Sequence, residues 1–496
     1  MTYSCAVASP HVLATEAAEA AVRRGGNAID AALAAAATLT VVYPHNTALG
    51  GDLIALVRTP DGAIMCVNAS GPAPRAASRE AVAERHGGAM PVTGPDTITV
   101  PGMIAGWAAL RDYGAALPWA AQFEAAIEHA ASTPVVPGLA HAIAESADLI
   151  DADPGLRAVF GGLRAGDPLR QPALRRTLTR LAADGPMEFY RGELGARLVA
   201  GLDSPVTTAD LAAYAVERCA PLSRPYRGLD VHTSPPNSQG LLLLQALLAE
   251  VAEPLGAGAG RLTEAFVRGI ADRERHLADP RFAAVDVESL LDPARPTTAG
   301  LPTGTPSGDT VAIVTADTEG YAVSLIQSLF HGFGSGILEP ETGILLHNRG
   351  SFFSLDLASP NVLAPGKRPA HTLMPVLVTA QGRPAYVTGV MGGKAQPQIN
   401  AQVLMRLLDG ATPAEAVAAP RFIVGGLDRD DPTHVLLVEP GLDPAAATAL
   451  AATRLRQVTL PEGSGSAGHA QAIRVGEVLE AGSDPRSDGR AAVVTR

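Results

Sequence analysis

The sequence predicts an α+β protein of stacked sheets covered by helices, not a parallel sheet wound with alternating helices. Two observations carry this expectation. Residues 100 to 300 read mainly as helices, whereas residues 311 to 389 read as strand after strand with a helix only afterwards. The elements therefore come in blocks rather than as βαβ units. The chain is also long and apolar enough to bury such layers, with 496 residues, 47% hydrophobic and 18% charged. Aromatic residues make up only 4%, so Ala, Leu and Val must fill the core.

Taken in order, Ala14, Ala17, Ala18, Ala21 and Val22 form one face of a helix over 9–24, which Gly25-Gly26 stops. Asn27 caps a second helix, 28–42, whose all-round apolar character demands burial on several sides. A strand over 53–58, a turn at Pro60-Asp61-Gly62 and a strand over 63–68 make a hairpin. Helices are expected at 102–113, 119–131, 174–184 and 194–200, separated by Pro and Gly. A turn and strand fit 225–232, and strongly apolar helices fit 240–250 and 262–277. Pro, Thr, Gly and Ser fill 296–308 without apolar period, so 296–309 reads as a mobile linker, or as a plain connection between domains. Strands follow at 311–316, 321–329, 343–347, 374–379 and 384–389, then a helix at 401–408.

Several function classes are disfavoured. The net charge is −12 and no Lys/Arg run could neutralise a phosphate backbone, so no nucleic acid is expected. Cys5, Cys66 and Cys219 lie far apart without CxxC spacing and read as three separate buried thiols. The 12 histidines share no ligand spacing and no HExxH occurs, so no metal is expected. No dinucleotide fingerprint or phosphate loop is present, and no cofactor is expected. The N-terminus lacks the basic region of a secretory signal. The apolar run 31–43 falls short of the ~20 residues that span a bilayer, which points to a cytoplasmic location and no membrane partner.

The chemistry centres on Thr310, at the start of the run Thr310-Val311-Ala312-Ile313-Val314. A threonine becomes a competent nucleophile when it is the first residue of a chain, because its own α-amine can take the hydroxyl proton. That requires a cut between Asp309 and Thr310. The alternative is structural: a β-branched residue suits a strand start. Glycine-bearing segments follow at Gly332-Phe333-Gly334-Ser335-Gly336 and Gly389-Val390-Met391-Gly392-Gly393. Gly392 and Gly393 read either as backbone N–H donors to an oxyanion or as a tight turn.

Ordered motifs run through nearly the whole chain. They include Arg24-Gly25-Gly26-Asn27-Ala28-Ile29-Asp30-Ala31-Ala32, Val100-Pro101-Gly102, Asp184-Gly185-Pro186-Met187, Ser234-Pro235-Pro236-Asn237-Ser238-Gln239-Gly240 and Asp484-Pro485-Arg486-Ser487-Asp488-Gly489. With Thr310, Phe333-Gly334-Ser335-Gly336 and Gly392-Gly393, they make the chain resemble the γ-glutamyltransferase family of N-terminal-nucleophile hydrolases. The resemblance implies an αββα sandwich of two mainly antiparallel sheets flanked by helices. It implies self-cleavage into a large subunit, 1–309 (with a helical region at about 100–290), and a small subunit, 310–496, that form one core. The two would stay together as a heterodimer, with further dimerisation left open. Thr310 would be the nucleophile, Gly392 and Gly393 the oxyanion donors, and Ser328 the hydroxyl further along the strand.

The departures concern the acyl pocket. Ser70 stands where the family's transferases place an arginine for the substrate α-carboxylate, and His371-Thr372 replace their serine pair. Phe330, Arg349 and Phe352 replace the asparagine, glutamine and aspartate that hold the α-amino end. Val311 replaces the second threonine of the family's pair. The pattern is similar to the subgroup containing an oxamate amidohydrolase. It implies hydrolysis of a small amide: oxamate-like, a dicarboxylic monoamide, or γ-glutamyl-like. Arg349 is then the cation left for a substrate carboxylate, with His371 and Thr372 as partners, unless it pairs with a nearby acid. The alternatives are a glutathione hydrolase or γ-glutamyltransferase, and an uncleaved, non-catalytic scaffold.

Overall fold

In the computed structural model, which describes residues 2–249, 255–292, 294–295, 309–426 and 435–496, strands from both ends of the chain meet in one sheet. The strands that build the two large sheets are, in chain order, β1 (Ser4–Ser9), β2 (Asp52–Arg58), β3 (Ile64–Ala69), β4 (Glu217–Cys219), β5 (Leu222–Tyr226) and β6 (Leu229–Thr233). They continue with β7 (Asp309–Asp317), β8 (Ala322–Phe330), β9 (Val376–Ala380), β10 (Arg383–Met391), β11 (His469–Val475), β12 (Leu479–Ser483) and β13 (Arg490–Thr495). One sheet has the order β13-β1-β7-β8-β2-β3-β4 and the other β12-β11-β10-β9-β6-β5. Every pairing within both is antiparallel.

Side-chain alternation sorts each strand between two layers. Ile54, Leu56, Ala312, Val314 and Ile326 point between the sheets, where they meet Leu377, Val387 and Ile473. Leu53, Ala55, Val311, Ile313 and Leu325 point the other way, against α1 (Val12–Arg23) and α2 (Ala28–Val42). The second sheet presents Val231, Val376 and Val378 to α3 (Gly240–Leu248), α4 (Leu255–His276) and α5 (Gln396–Leu408). The order helix, sheet, sheet, helix is the αββα sandwich.

Helix α2 is buried along its whole length, and its alanines let the backbone lie close on the sheet. Asn27 and Asp30 form a reciprocal cap at its start. Asp317, at the end of β7, accepts the Ala28 N–H at 3.0 Å. Gln327 of β8 reaches the Ala36 carbonyl at 3.0 Å and takes the Trp107 indole N–H at 3.0 Å. These bonds fix β7 and β8 against α2.

The expected helices and hairpins form, with shifts at their ends. Helix α5 starts at Gln396 rather than Ala401, because Pro397 suits a first turn. The strand expected over 343–347 shrinks to Ile344–Leu345. The sequence pattern gives no strand for β1, β4, β11, β12 or β13. The expected linker over 296–308 lies outside the described residues. The reading of the thiols is corrected: Cys5 and Cys66 are buried, but Cys219 is only half-buried and stands opposite Cys66 across the β3–β4 pair. Among the described residues, no helix is long and apolar enough to cross a membrane.

Four buried histidines make the fold acid-sensitive. Burial lowers His11, His371 and His469 to about 4 and His45 to about 3. The unfolded chain, with histidines near ~6.5, binds more protons than the native state between that value and those folded values. Stability should therefore fall as the pH drops from about 6.5 toward 4, each histidine adding up to ~1.4 kcal/mol per pH unit. Denaturant midpoints measured across this range check it, and a flat profile would refute it.

Candidate active site

Thr310 is the second residue of β7, and the alternation that sends Ala312 and Val314 between the sheets sends Thr310 there too. Its register partner on β8 is Ser328, whose partner on β2 is Asp52. Directly opposed residues share a face, so Thr310, Ser328 and Asp52 form a row across three adjacent strands. All three are essentially without solvent contact.

Ser328 is the hub at one end of this row. Its Oγ donates to the Asp309 carbonyl at 2.6 Å and accepts the Phe330 N–H at 2.7 Å. It lies 3.1 Å from Thr310 Oγ1. A serine hydroxyl has one proton, and the Asp309 carbonyl can only accept. The Thr310 hydroxyl therefore donates to Ser328. A bulge between Ser328 and Phe330, with Phe330 at φ 83°, turns the Phe330 N–H back onto that hydroxyl. Asn46 Nδ2 approaches the Thr310 carbonyl at 3.4 Å.

Asp52 is the hub at the other end. Arg349 grips it in a fork, Nε to Oδ2 at 2.7 Å and Nη2 to Oδ1 at 3.2 Å. His371 Nε2 lies 2.8 Å from Oδ2, and His347 Nδ1 lies 3.5 Å from the same oxygen. Burial alone would raise the Asp52 carboxyl, but the Arg349 guanidinium, then His371 and His347, hold it well below the usual carboxylate range. His371 Nδ1 accepts the Leu373 N–H at 3.2 Å, so its proton sits on Nε2 and points at Asp52. Burial, with Arg349 nearby, keeps this ring neutral. The remaining Arg349 nitrogen, Nη1, faces Thr372 Oγ1 at 3.1 Å, and the guanidinium lies 4.3 Å from the centre of the Phe330 ring.

The second sheet supplies the roof. The Thr388 carbonyl accepts from Ser324 Oγ at 2.8 Å, and a side chain at Gly389 would meet Ile326 and Ala312. Gly392 and Gly393 follow directly after the end of strand β10 at Met391. Both have positive φ, 149° and 51°. Among the described residues, neither donates its N–H to a backbone or side-chain acceptor. They also begin a short 3₁₀ turn, so the turn and the open donors coexist. Gln239 Nε2 pins the segment through the carbonyls of Thr372 at 2.8 Å and Gly393 at 2.9 Å. Phe352 packs on Phe330 at 5.4 Å and lines an outer cavity of about 580 Å³ that includes Lys394 and Glu274.

The structure thus gathers Thr310, Ser328, Phe330, Arg349, His371 and Thr372 into one buried cluster, with Phe352 at its rim. Of the two readings of Arg349, the pairing with a nearby acid forms, and that acid is Asp52. One expectation needs correction. His371 has both ring nitrogens occupied, so it orients Asp52 rather than presenting a donor to a ligand. Ser70 points into a separate amide network, donating to Asn68 Oδ1 at 2.6 Å and accepting from Asn237 Nδ2 at 3.3 Å. The sequence reading missed Asp52, His347, Asn46 and Gln239. For Asp52 the signal was available: a single acid at the head of a central strand that is apolar as far as Val57. Among the described residues, no group of His, Cys, Asp or Glu is arranged to hold a metal ion.

Two antiparallel sheets between helices, with a threonine at the head of a central strand, define the architecture of N-terminal-nucleophile hydrolases. The chain belongs to the gamma-glutamyltranspeptidase family, whose model matches residues 14–494. It is 38% identical to the oxamate amidohydrolase proenzyme of Klebsiella pneumoniae, over 99% of this chain and 98% of that one. It is 36% identical to the glutathione hydrolase-like YwrD proenzyme of Bacillus subtilis, over 98% and 97%. Among solved structures, cephalosporin acylase from Bacillus halodurans superposes with a TM-score of 0.89 at 34% identity, covering 99% of this chain and 96% of the other.

Asp52 tests the electrostatic side of this site. Asp52→Asn removes the charge that Arg349 faces, and breaking one side of a buried pair costs about 3–5 kcal/mol. Chemical denaturation should show a loss of that order, and a loss under about 1 kcal/mol would mean the pair is dispensable.

Proposed function

We propose that the chain is an autoprocessed amidohydrolase whose nucleophile is Thr310. The observation that carries this reading is the Ser328 hydroxyl, which holds both the Asp309 carbonyl and the Thr310 hydroxyl. A hydrogen bond to the carbonyl oxygen polarises the Asp309–Thr310 peptide, and the neighbouring hydroxyl is the attacking group. The Thr310 Oγ1 bond to the Asp309 carbonyl carbon forms as the C–N bond breaks. The hydroxyl proton passes by way of Ser328 to the leaving nitrogen, and water then hydrolyses the ester. The products are a large subunit, 1–309, and a small subunit, 310–496. They remain one heterodimer because β7 lies between β1 and β8 in a shared sheet.

In the mature protein the free α-amine of Thr310 takes the hydroxyl proton as Oγ1 attacks the substrate amide. The open N–H groups of Gly392 and Gly393 receive the developing oxyanion, where each donor is worth ~3–4 kcal/mol. The amine leaves, and water releases the acid from Thr310. No step calls for a cofactor.

The substrate we infer is a small amide whose acyl part ends in a carboxylate, oxamate or a dicarboxylic monoamide. The edge of the buried cluster offers such a group two donors, Arg349 Nη1 and Thr372 Oγ1. An ammonium group there would face the Phe330 and Phe352 rings and the Arg349 guanidinium, and the Asp52 oxygens are already held by Arg349 and His371. Similarity to the Klebsiella oxamate amidohydrolase supports this choice. A γ-glutamyl substrate is the second reading, supported by similarity to the Bacillus glutathione hydrolase-like protein.

Two measurements test the proposal. Intact mass spectrometry of fresh protein should reveal fragments meeting at Asp309–Thr310. Thr310→Ala should stay whole, and Ser328→Ala should cleave roughly 10²-fold more slowly, as for loss of one oxyanion donor. Full-length, inactive wild-type protein would sink the reading.

Substrate choice is tested by ammonia release from oxamate and dicarboxylic monoamides against turnover of γ-glutamyl anilides. Arg349→Lys keeps a charge beside Asp52 but loses the fork, so kcat/KM for the carboxylate amides should fall about 10-fold or more. A high rate on glutathione that ignores this substitution would instead establish the γ-glutamyl reading.

A further inference from the structure

Strand β4 is three residues long and forms the open edge of the first sheet, where Cys219 stands directly opposite Cys66 of β3. Opposed residues on antiparallel strands have Cα atoms about 4.5–5.5 Å apart. That separation falls within the ~4.4–6.8 Å that a disulfide bridges. The two sulfurs are close enough to influence each other: the neighbouring Cys219, together with burial, raises the Cys66 thiol, and Cys66 lowers Cys219. Cys66 is fully buried, whereas Cys219 is only partly buried at the sheet edge. The less buried Cys219 suits the attacking thiol and the enclosed Cys66 the resolving one.

We propose that Cys66 and Cys219 form a reversible dithiol–disulfide site that reacts with small-molecule disulfides. The Cys219 thiolate attacks one sulfur of a disulfide such as oxidised glutathione and releases one glutathione thiol. Cys66 then gives up its proton, and its sulfur displaces the second glutathione from Cys219. The protein dithiol loses two electrons and two protons, and the small disulfide becomes two thiols.

The bond would brace a polar chain that runs toward the candidate pocket. Glu217, two residues before Cys219, pairs with Arg368 and accepts from Asn68 Nδ2 at 3.4 Å. Asn68 also donates to Asn237 at 2.9 Å and holds Ser70. Cys5 serves as an internal control. It is buried on β1, with β7, β8 and β2 between it and β3.

The test is to incubate the purified native protein with oxidised glutathione, block free thiols, and map peptides without reduction. One cross-linked pair containing Cys66 and Cys219 is expected, lighter by two hydrogen atoms and reversed by dithiothreitol, while Cys5 stays reduced. Cys66→Ser should instead accumulate a mixed disulfide of glutathione on Cys219, and Cys219→Ser should leave Cys66 unmodified. The thermal midpoint of the wild-type protein should rise on oxidation, and that of Cys219→Ser should not. The proposal is overturned if wild-type Cys219 stops at the mixed disulfide, or if both thiols survive conditions that oxidise the unfolded chain.

Discussion

The pairing of β7 with β8 decides which residues can meet between the sheets. A strand has a side-chain period of two, so a slip of one residue would turn Thr310, Ser328 and the apolar residues beyond them toward α2. Several contacts forbid the slip. Asp317 is tied to the start of α2, Gln327 to the Ala36 carbonyl, and Ser324 to the Thr388 carbonyl across the gap. Gly389 allows the second sheet to settle on Ala312 and Ile326, where a side chain would intrude. The register is therefore set from both faces, and the positions of Thr310 and Ser328 follow from it.

The same row carries a buried ion pair, which is costly to desolvate by several kcal/mol per ion. It is sustained by geometry. The Asp52 carboxylate receives the Arg349 fork and the His371 N–H, and the guanidinium also rests on the Phe330 ring. With His371 neutral, Asp52 and Arg349 cancel. Such a cluster exerts little long-range pull on an anion or a cation. In the proposed reaction, discrimination would come from directed donors at short range, Arg349 Nη1 and Thr372 Oγ1, and from the space that Phe330 and Phe352 leave. That suits a small rigid acid amide better than a long flexible one.

Local patterns revealed those parts of the fold whose physics is local. The capped, all-apolar helix at Asn27, the hairpin around Asp61 and the strand after Thr310 each announce themselves within a few residues. Strands β1 and β13 do not. Ser4 to Ser9 is a run of small residues whose strand character comes from pairing with residues 490–495, nearly the whole chain away. The candidate site divides in the same way. Thr310, Ser328, Arg349 and the glycine pair were legible through motifs. Asp52 showed only as an acid at the head of a largely apolar strand, and its role appears where Arg349 and His371 converge on it from far along the chain. For Arg349 the sequence leaves both a substrate carboxylate and a nearby acid as candidates, because the acid, Asp52, lies 297 residues away. Cys66 and Cys219 were read as unrelated for the same reason: a separation along the chain says nothing about register across a sheet.

The arrangement also explains how one set of hydroxyls can serve the two proposed reactions. Before cleavage, Ser328 donates to the Asp309 carbonyl, and Thr310 donates to Ser328. Cutting the peptide removes that carbonyl from the chain of Thr310 and leaves an amine in its place. The Ser328 proton then has no fixed acceptor upstream and can turn to Thr310, whose own proton has a new base beside it. The sheet need not rearrange, since β7 is held by β1 on one side and β8 on the other. A chain whose nucleophile sat on a loop would lose its geometry with its covalent continuity, whereas a central strand keeps its neighbours after the bond is gone.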